Sequence, residues 1–227
     1  MSGKSDTQVH IPVEHLMLAG DLVLPEEPRG IIVFAHGSGS SRHSPRNRQV
    51  AAALHDAHFA TLLMDLLTPE EERLDVETAA LRFDIPLLSQ RLLHATWWLE
   101  DQSSTAKLRL GYFGASTGAA AALVAASEQP DLVDAIVSRG GRADMAGDRL
   151  EKVITPTLLI VGGQDAEVLD HNRQALNRLS AISKNLHIVP GARHLFEEPG
   201  ALHEVATVAR DWFERFLAGS AGRIEAA

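Results

Sequence analysis

The chain has 227 residues, 45% of them hydrophobic, with a formal net charge of −9; these values suit one globular domain with a full core and exclude a disordered chain. The acidic balance argues against non-specific nucleic-acid binding and against an anionic membrane surface. There is no cysteine, which excludes disulfides, zinc–thiolate sites and a cysteine nucleophile.

In chain order, residues 1–7 lack the apolar centre of a signal peptide, and no apolar run reaches the length of a membrane span. A soluble cytoplasmic protein with no membrane partner is therefore expected. Residues 9–13 and 16–24 read as an antiparallel strand pair, closed by a turn at Pro25-Glu26-Glu27-Pro28. Residues 30–35 read as a hydrophobic strand, 48–57 as a helix and 59–65 as the next strand. The stretch 65–82 is a polar excursion. Its acidic run Pro69-Glu70-Glu71-Glu72 suits a solvated helix start, where carboxylates favour the helix dipole. A long helix over 84–100 carries Trp97 and Trp98 as packing residues. Strand 108–113, helix 119–126 and strand 133–138 follow, then a connection over 139–156. Strand 157–163, helix 167–179, strand 185–190 and a closing helix 201–217 complete the pattern. Strands that alternate with helices predict a mostly parallel sheet of about seven to eight strands with helices on both faces. Residues 1–218 are expected to form one domain, and the small, polar tail 219–227 to fray. The connection over 139–156 is too short for a lid domain, so the site is expected to be open and suited to small substrates.

The most informative segment is Gly114-Ala115-Ser116-Thr117-Gly118. It matches G-x-S-x-G between a buried strand and an alanine-rich helix, the context of a nucleophile elbow. The strained turn leaves no room for bulk two residues to either side of the serine, and glycine stands at both positions. Asp165 follows the strand 157–163, and His194 lies in the loop after 185–190. Nucleophile, acid and histidine thus come in α/β-hydrolase order, each at a strand's C-terminal end. A serine hydroxyl needs a base within reach, histidine titrates near neutrality, and an aspartate fixes the imidazole tautomer. Ser116, Asp165 and His194 are the candidate triad, with Asp144 the acid to examine should Asp165 fail.

An oxyanion hole draws one N–H from the residue after the nucleophile, here Thr117, and one from the loop after an early strand. Ser38 is the candidate for the second donor, with Gly39 next, and His36 is read as a structural residue that holds this loop. Other chemistries fit poorly. A phosphate loop needs lysine where Ala119 stands, and Gly111, Gly114 and Gly118 do not make a dinucleotide fingerprint. His55 and His58 sit three apart on a helix with no third metal ligand in view, so no metal is assigned.

The chain resembles the dienelactone hydrolase branch of the α/β-hydrolase superfamily. The segments that carry the resemblance are His36-Gly37-Ser38-Gly39-Ser40-Ser41-Arg42-His43-Ser44-Pro45-Arg46-Asn47, Gly111 to Gly118, Val161-Gly162-Gly163-Gln164-Asp165 and Pro190-Gly191-Ala192-Arg193-His194-Leu195-Phe196. The resemblance implies an α/β-hydrolase fold and cofactor-free hydrolysis of small esters or lactones through an acyl-enzyme. Thioester or peptide hydrolysis, acyl transfer and a non-catalytic scaffold are the alternatives. Dienelactone hydrolases carry cysteine at the nucleophile position, and Ser116 favours ordinary carboxylic esters. Those enzymes also hold a substrate carboxylate with arginines, which makes Arg139 and, after it, Arg82 candidates for that contact. Nothing in the sequence sets the oligomeric state.

Overall fold

A computed structural model describes residues 5–218; the tail expected to fray, 219–227, lies outside them. Strands β1 (Ser5–Val13), β2 (Leu16–Leu24), β3 (Ile31–Ala35), β4 (Ala60–Met64), β5 (Leu110–Ala115), β6 (Ala135–Arg139), β7 (Thr157–Gly162) and β8 (Lys184–Val189) form one sheet. The order is β1-β2-β4-β3-β5-β6-β7-β8. β1 and β2 pair antiparallel, β2 runs antiparallel to β4, and all later neighbours are parallel. This is an α/β-hydrolase fold with a mostly parallel sheet. The helices are α1 (Pro45–Asp56), α2 (Pro69–Thr78), α3 (Ile85–Asp101), α4 (Thr117–Glu128), α5 (Ala166–Arg178) and α6 (Ala201–Leu217).

Strand periodicity explains the two-sided core. Successive side chains point to opposite faces, and β3 is buried throughout. Ile31, Val33 and Ala35 join Leu62, Tyr112 and the apolar residues of α3 and α4 on one face. Ile32 and Phe34 join Phe113, Val137 and the apolar faces of α1 and α6 on the other. A strand covered on both sides must be apolar at every position, which is why these strands read as unbroken hydrophobic runs. Ala119 to Ala126 of α4 are all buried, because this helix lies between the sheet and its neighbours and has no solvent face.

Several boundaries differ from the expectations, for local reasons. β1 begins at Ser5 rather than residue 9 and pairs with β2 through to Leu24. α1 begins at Pro45 rather than residue 48, capped by the Ser44 hydroxyl, which accepts from Asn47 N–H at 3.4 Å. Between β6 and β7 lies a 3-10 segment, Ala143–Lys152, and no lid domain.

The acidic run in the polar excursion does start a helix, α2, but Glu71 is not merely solvated. The Thr68 hydroxyl accepts from Glu71 N–H at 3.2 Å, and Glu71 Oε2 accepts from Thr68 N–H at 2.8 Å, a capping box. Glu71 Oε1 also accepts from Arg91 of α3 at 2.8 Å. Arg91 is buried, and its Nε and Nη1 have no partner among the described residues. Removal of Glu71 would therefore strand a buried cation. Glu71→Ala is expected to destabilise the fold by about 3–5 kcal/mol, against about 0.5 kcal/mol for Glu70→Ala on the exposed face, as read from urea unfolding midpoints.

Candidate active site

β5 ends at Ala115 and α4 begins at Thr117, so Ser116 alone makes the turn between them. Its φ of 51° and ψ of −119° lie in a strained region for a residue with a Cβ, a cost of about 1–3 kcal/mol that the surroundings must impose. The surroundings do so by contact. A Cβ on Gly114 would stand 2.7 Å from the Ala119 nitrogen, and one on Gly118 would strike the Ala35 carbonyl and come within 2.5 Å of the His36 carbonyl. The two glycines thus let β3, β5 and α4 meet at the turn. Ser116 N–H donates to the Arg139 carbonyl at 3.3 Å, and Arg142 N–H to the Ser116 carbonyl at 3.0 Å.

The acid and the histidine come from neighbouring strands. Asp165 follows β7 as the residue before α5. Gln164 N–H donates to the Ala192 carbonyl at 2.9 Å, which draws the loop after β8 onto the loop after β7. His194 Nδ1 then meets Asp165 Oδ2 at 2.6 Å; because an ionised carboxylate only accepts, Nδ1 is the donor and Nε2 is left for the chamber. Ser116, Arg139 and His194 line one chamber of about 200 Å³. Ser116 Oγ makes no hydrogen bond among the described residues; nucleophile–base bonds commonly tighten only when substrate binds. Asp144 is elsewhere, paired with Arg142 at 2.7 Å and His171 at 3.6 Å.

Ser38 lines the chamber that holds Ser116, and Thr117 follows Ser116 at the start of α4. A Cβ on Gly37 would stand 3.0 Å from Ser116 Cβ, so the 36–44 loop packs directly on the elbow. The backbone N–H groups of Ser38, Gly39 and Thr117 make no hydrogen bond among the described residues. Two anchors hold this loop. His36 Nδ1 donates to the Gly37 carbonyl at 3.0 Å, and His36 Nε2 accepts from Leu66 N–H at 3.1 Å. Those partners define the neutral tautomer. Further along, Arg42 N–H donates to Asp65 Oδ1 at 2.7 Å and its guanidinium pairs with the same carboxylate.

A second chamber of about 500 Å³ adjoins the first, and Gly37, Ser38, Ser40, Ser44 and Arg46 line both. Arg82 faces this larger chamber, with its Nε held by Asp75 Oδ2 at 2.6 Å. Burial raises the Asp75 carboxyl, but bonds from Arg82 and Leu81 outweigh it and hold the group below its ordinary value. Arg139 stands in the opposite condition. It is 8% exposed, its Nε and Nη1 have no partner among the described residues, and burial followed by the nearby Arg46 guanidinium pulls its pKa down to about 10. Arg46, which the motif reading passed over, lines both chambers. Elsewhere, His55 bonds Thr61 Oγ1 at 2.7 Å and His58 the Glu26 carbonyl at 3.4 Å. No group of three or more candidate metal ligands occurs among the described residues, and no described helix is long and apolar enough to cross a membrane.

The model of the dienelactone hydrolase family matches residues 18–218. The chain belongs to the dienelactone hydrolase family. A solved dienelactone hydrolase structure from Anabaena variabilis shares 55% identity, covers 94% of this chain and 99% of its own, and superposes with a TM-score of 0.92. Est1E from Butyrivibrio proteoclasticus shares the fold at 14% identity, with a TM-score of 0.77 over 92% of this chain and 98% of its own. Curated proteins of two Mycobacterium tuberculosis strains, named "Putative phosphoribosyl transferase", are 57% identical over 214 residues. That match takes in 94% of this chain and 47% of theirs, so the chain spans about half the length of the curated relatives it matches.

The buried His36 gives a pH dependence of known sign. Burial lowers its pKa below the ordinary 6.5, against weaker raising effects from the Gly37 carbonyl and Asp65. The unfolded chain therefore binds this proton more readily than the folded one, so stability falls as pH drops below 6.5 and levels off beneath the folded pKa. Tm measured against pH is expected to fall more steeply below that value in the parent than in His36→Asn, whose side chain does not titrate.

Proposed function

We propose that the protein is a serine hydrolase of small carboxylic esters or lactones that works through an acyl-enzyme. The observation that carries the reading is the 2.6 Å bond between Asp165 and His194, whose imidazole opens onto the chamber that also holds the strained Ser116. In this reading Ser116 Oγ attacks the substrate carbonyl carbon while His194 Nε2 takes the hydroxyl proton. The carbonyl oxygen becomes an oxyanion, which accepts from the N–H groups of Ser38 and Thr117. The C–O bond to the leaving group then breaks, and His194 returns the proton to the departing oxygen. Water attacks the acyl-Ser116 ester, again giving a proton to His194, and collapse restores the serine and frees the carboxylic acid. Asp165 stays ionised throughout and stabilises the imidazolium.

Arg139 is the residue proposed to meet a substrate carboxylate, since a buried guanidinium without a partner is an open site for a bidentate anion. Arg82 is already paired with Asp75. The transferase name of the mycobacterial relatives belongs to chains of about twice this length and is not carried over. A soluble protein acting on a small-molecule ester, with no nucleic acid, membrane or cofactor partner, completes the reading.

Ser116→Ala is expected to lower kcat for 4-nitrophenyl butyrate by about 10⁴-fold or more, and Asp165→Asn by about 10⁴-fold with the fold retained. A fluorophosphonate probe should label Ser116 in the parent alone. Labelling at another serine, or a fully active alanine variant, would rule the nucleophile out. With no lid to add apolar surface, each further methylene gains little of the about 0.8 kcal/mol that full burial would give. Esters with about two to six acyl carbons should therefore show the highest kcat/KM; a preference for much longer chains would contradict an open site.

A further inference from the structure

The chamber beside Ser116 holds two arginines and no acid. Ser44, Arg46, Asn47, Ser116, Arg139 and His194 are among its walls, and no Asp or Glu is, in a chain whose net charge is −9. A buried guanidinium without a counter-charge costs stability and is retained where an occupant offsets that cost. Arg139 is such a group, with neither ion pair nor hydrogen bond among the described residues. Arg46 brings a second positive charge. Its one ion pair among the described residues, to Glu197 at 3.4 Å, reaches a carboxylate whose side chain is 68% exposed, and so does little to neutralise it. Its Nε is buried and has no hydrogen-bond partner among the described residues. The N-terminus of α1 points the same way: Ser44, Arg46 and Asn47 line the chamber, and Arg46 N–H makes no backbone bond, so the helix adds partial positive charge to the two full ones.

A single carboxylate would satisfy one guanidinium and leave the other facing it. Both Arg139 and Arg46 line this chamber, and Arg139 Nε and Nη1 and Arg46 Nε find no hydrogen-bond partner among the described residues. Two cations side by side match an occupant with two charges. We propose that this chamber is a subsite for a doubly charged oxyanion carried by the substrate, a phosphate monoester or a pair of carboxylates, with Arg139 and Arg46 as its two cations. The proposal rests on the reading of Ser116 as nucleophile only in assigning the anion to a substrate. Burial and, after it, repulsion from the Arg46 guanidinium lower the Arg139 pKa, and a dianion between the two groups offsets that repulsion.

The test uses free anions at about pH 8, where inorganic phosphate is a dianion. Phosphate, malonate and acetate are compared as competitive inhibitors of 4-nitrophenyl butyrate hydrolysis. Phosphate or malonate is expected to inhibit with a Ki at least about tenfold below that of acetate. The tighter of the two tells a phosphate monoester from a dicarboxylate. Arg46→Ala is expected to raise the Ki of the dianion about tenfold or more and to reduce the dianion-to-acetate discrimination. Arg139→Met, which keeps the volume of the stem, should remove inhibition by all three. Equal Ki values for dianions and acetate, or an equal change for all three in Arg46→Ala, would overturn the proposal. Calorimetric titration of phosphate and malonate into the Ser116→Ala protein separates the two readings. A dianion that binds while the parent hydrolyses no ester removes the nucleophile and keeps the subsite; hydrolysis without dianion binding does the reverse.

Discussion

Backbone contact without intervening side chains, at one point in the middle of the sheet, is the constraint on which the site depends. Gly118 lies against the carbonyls at the end of β3, Gly114 against the first turn of α4, and Gly37 against Ser116 itself. A Cβ on Gly114 or Gly118 would force the strand, helix or loop apart, and the hydroxyl would move with it. Because β3 and β5 are adjacent and parallel, their ends coincide, and the loop that follows one falls on the turn that follows the other. The strained backbone of Ser116 is held by that crowding, and the two apolar cores on either face of the sheet keep the crowding in place.

Much of this was legible in the sequence because it is local. The strand, turn and helix around Ser116 are one continuous segment, and its glycines report a requirement for close approach that no other residue type meets. The buried strands were equally plain, since coverage on both faces leaves no polar position to blur the run. Interactions between distant segments were harder to see. Arg46 becomes part of a site only when the first turn of α1 is laid beside the end of β6, and no spacing in the sequence announces that. Arg139 could as well have been half of an ion pair; only the walls around it show that no carboxylate is there. Arg82 was the second candidate, yet the helix α2 is followed by Ala79 in the left-handed region, and the chain turns back so that Arg82 meets Asp75. The start of α1 was placed late because its signal, Ser44 followed by Pro45, precedes the first apolar residue of the helix.

Composition misleads in a related way. An excess of acidic side chains describes the surface as an average and says nothing about a concave site of about 200 Å³. Asp165 is committed to His194, Asp65 to Arg42 and Asp75 to Arg82; Glu197 meets Arg46 from an exposed position, and Glu72 faces the larger chamber. No acid lines the smaller chamber, which leaves Arg139 and Arg46 to set the local potential there. A chain that repels polyanions over most of its surface thus presents a cationic chamber to a small one.

The anchoring of the 36–44 loop has a consequence for how the chain tolerates changes in length. His36 is tied to Leu66, Arg42 to Asp65, and Ser44 to the first turn of α1, so the loop is fastened twice to the segment that follows β4 and once, at its end, to α1. An inserted residue would have no slack to occupy and would displace either the Ser38 N–H or the Arg46 side chain. The turn that joins α3 to β5, around Ser103 and Ser104, is at the opposite end of the sheet and exposed. Insertions, epitope tags or circular breaks belong there, where the chain reverses far from the chemistry and the backbone already faces solvent.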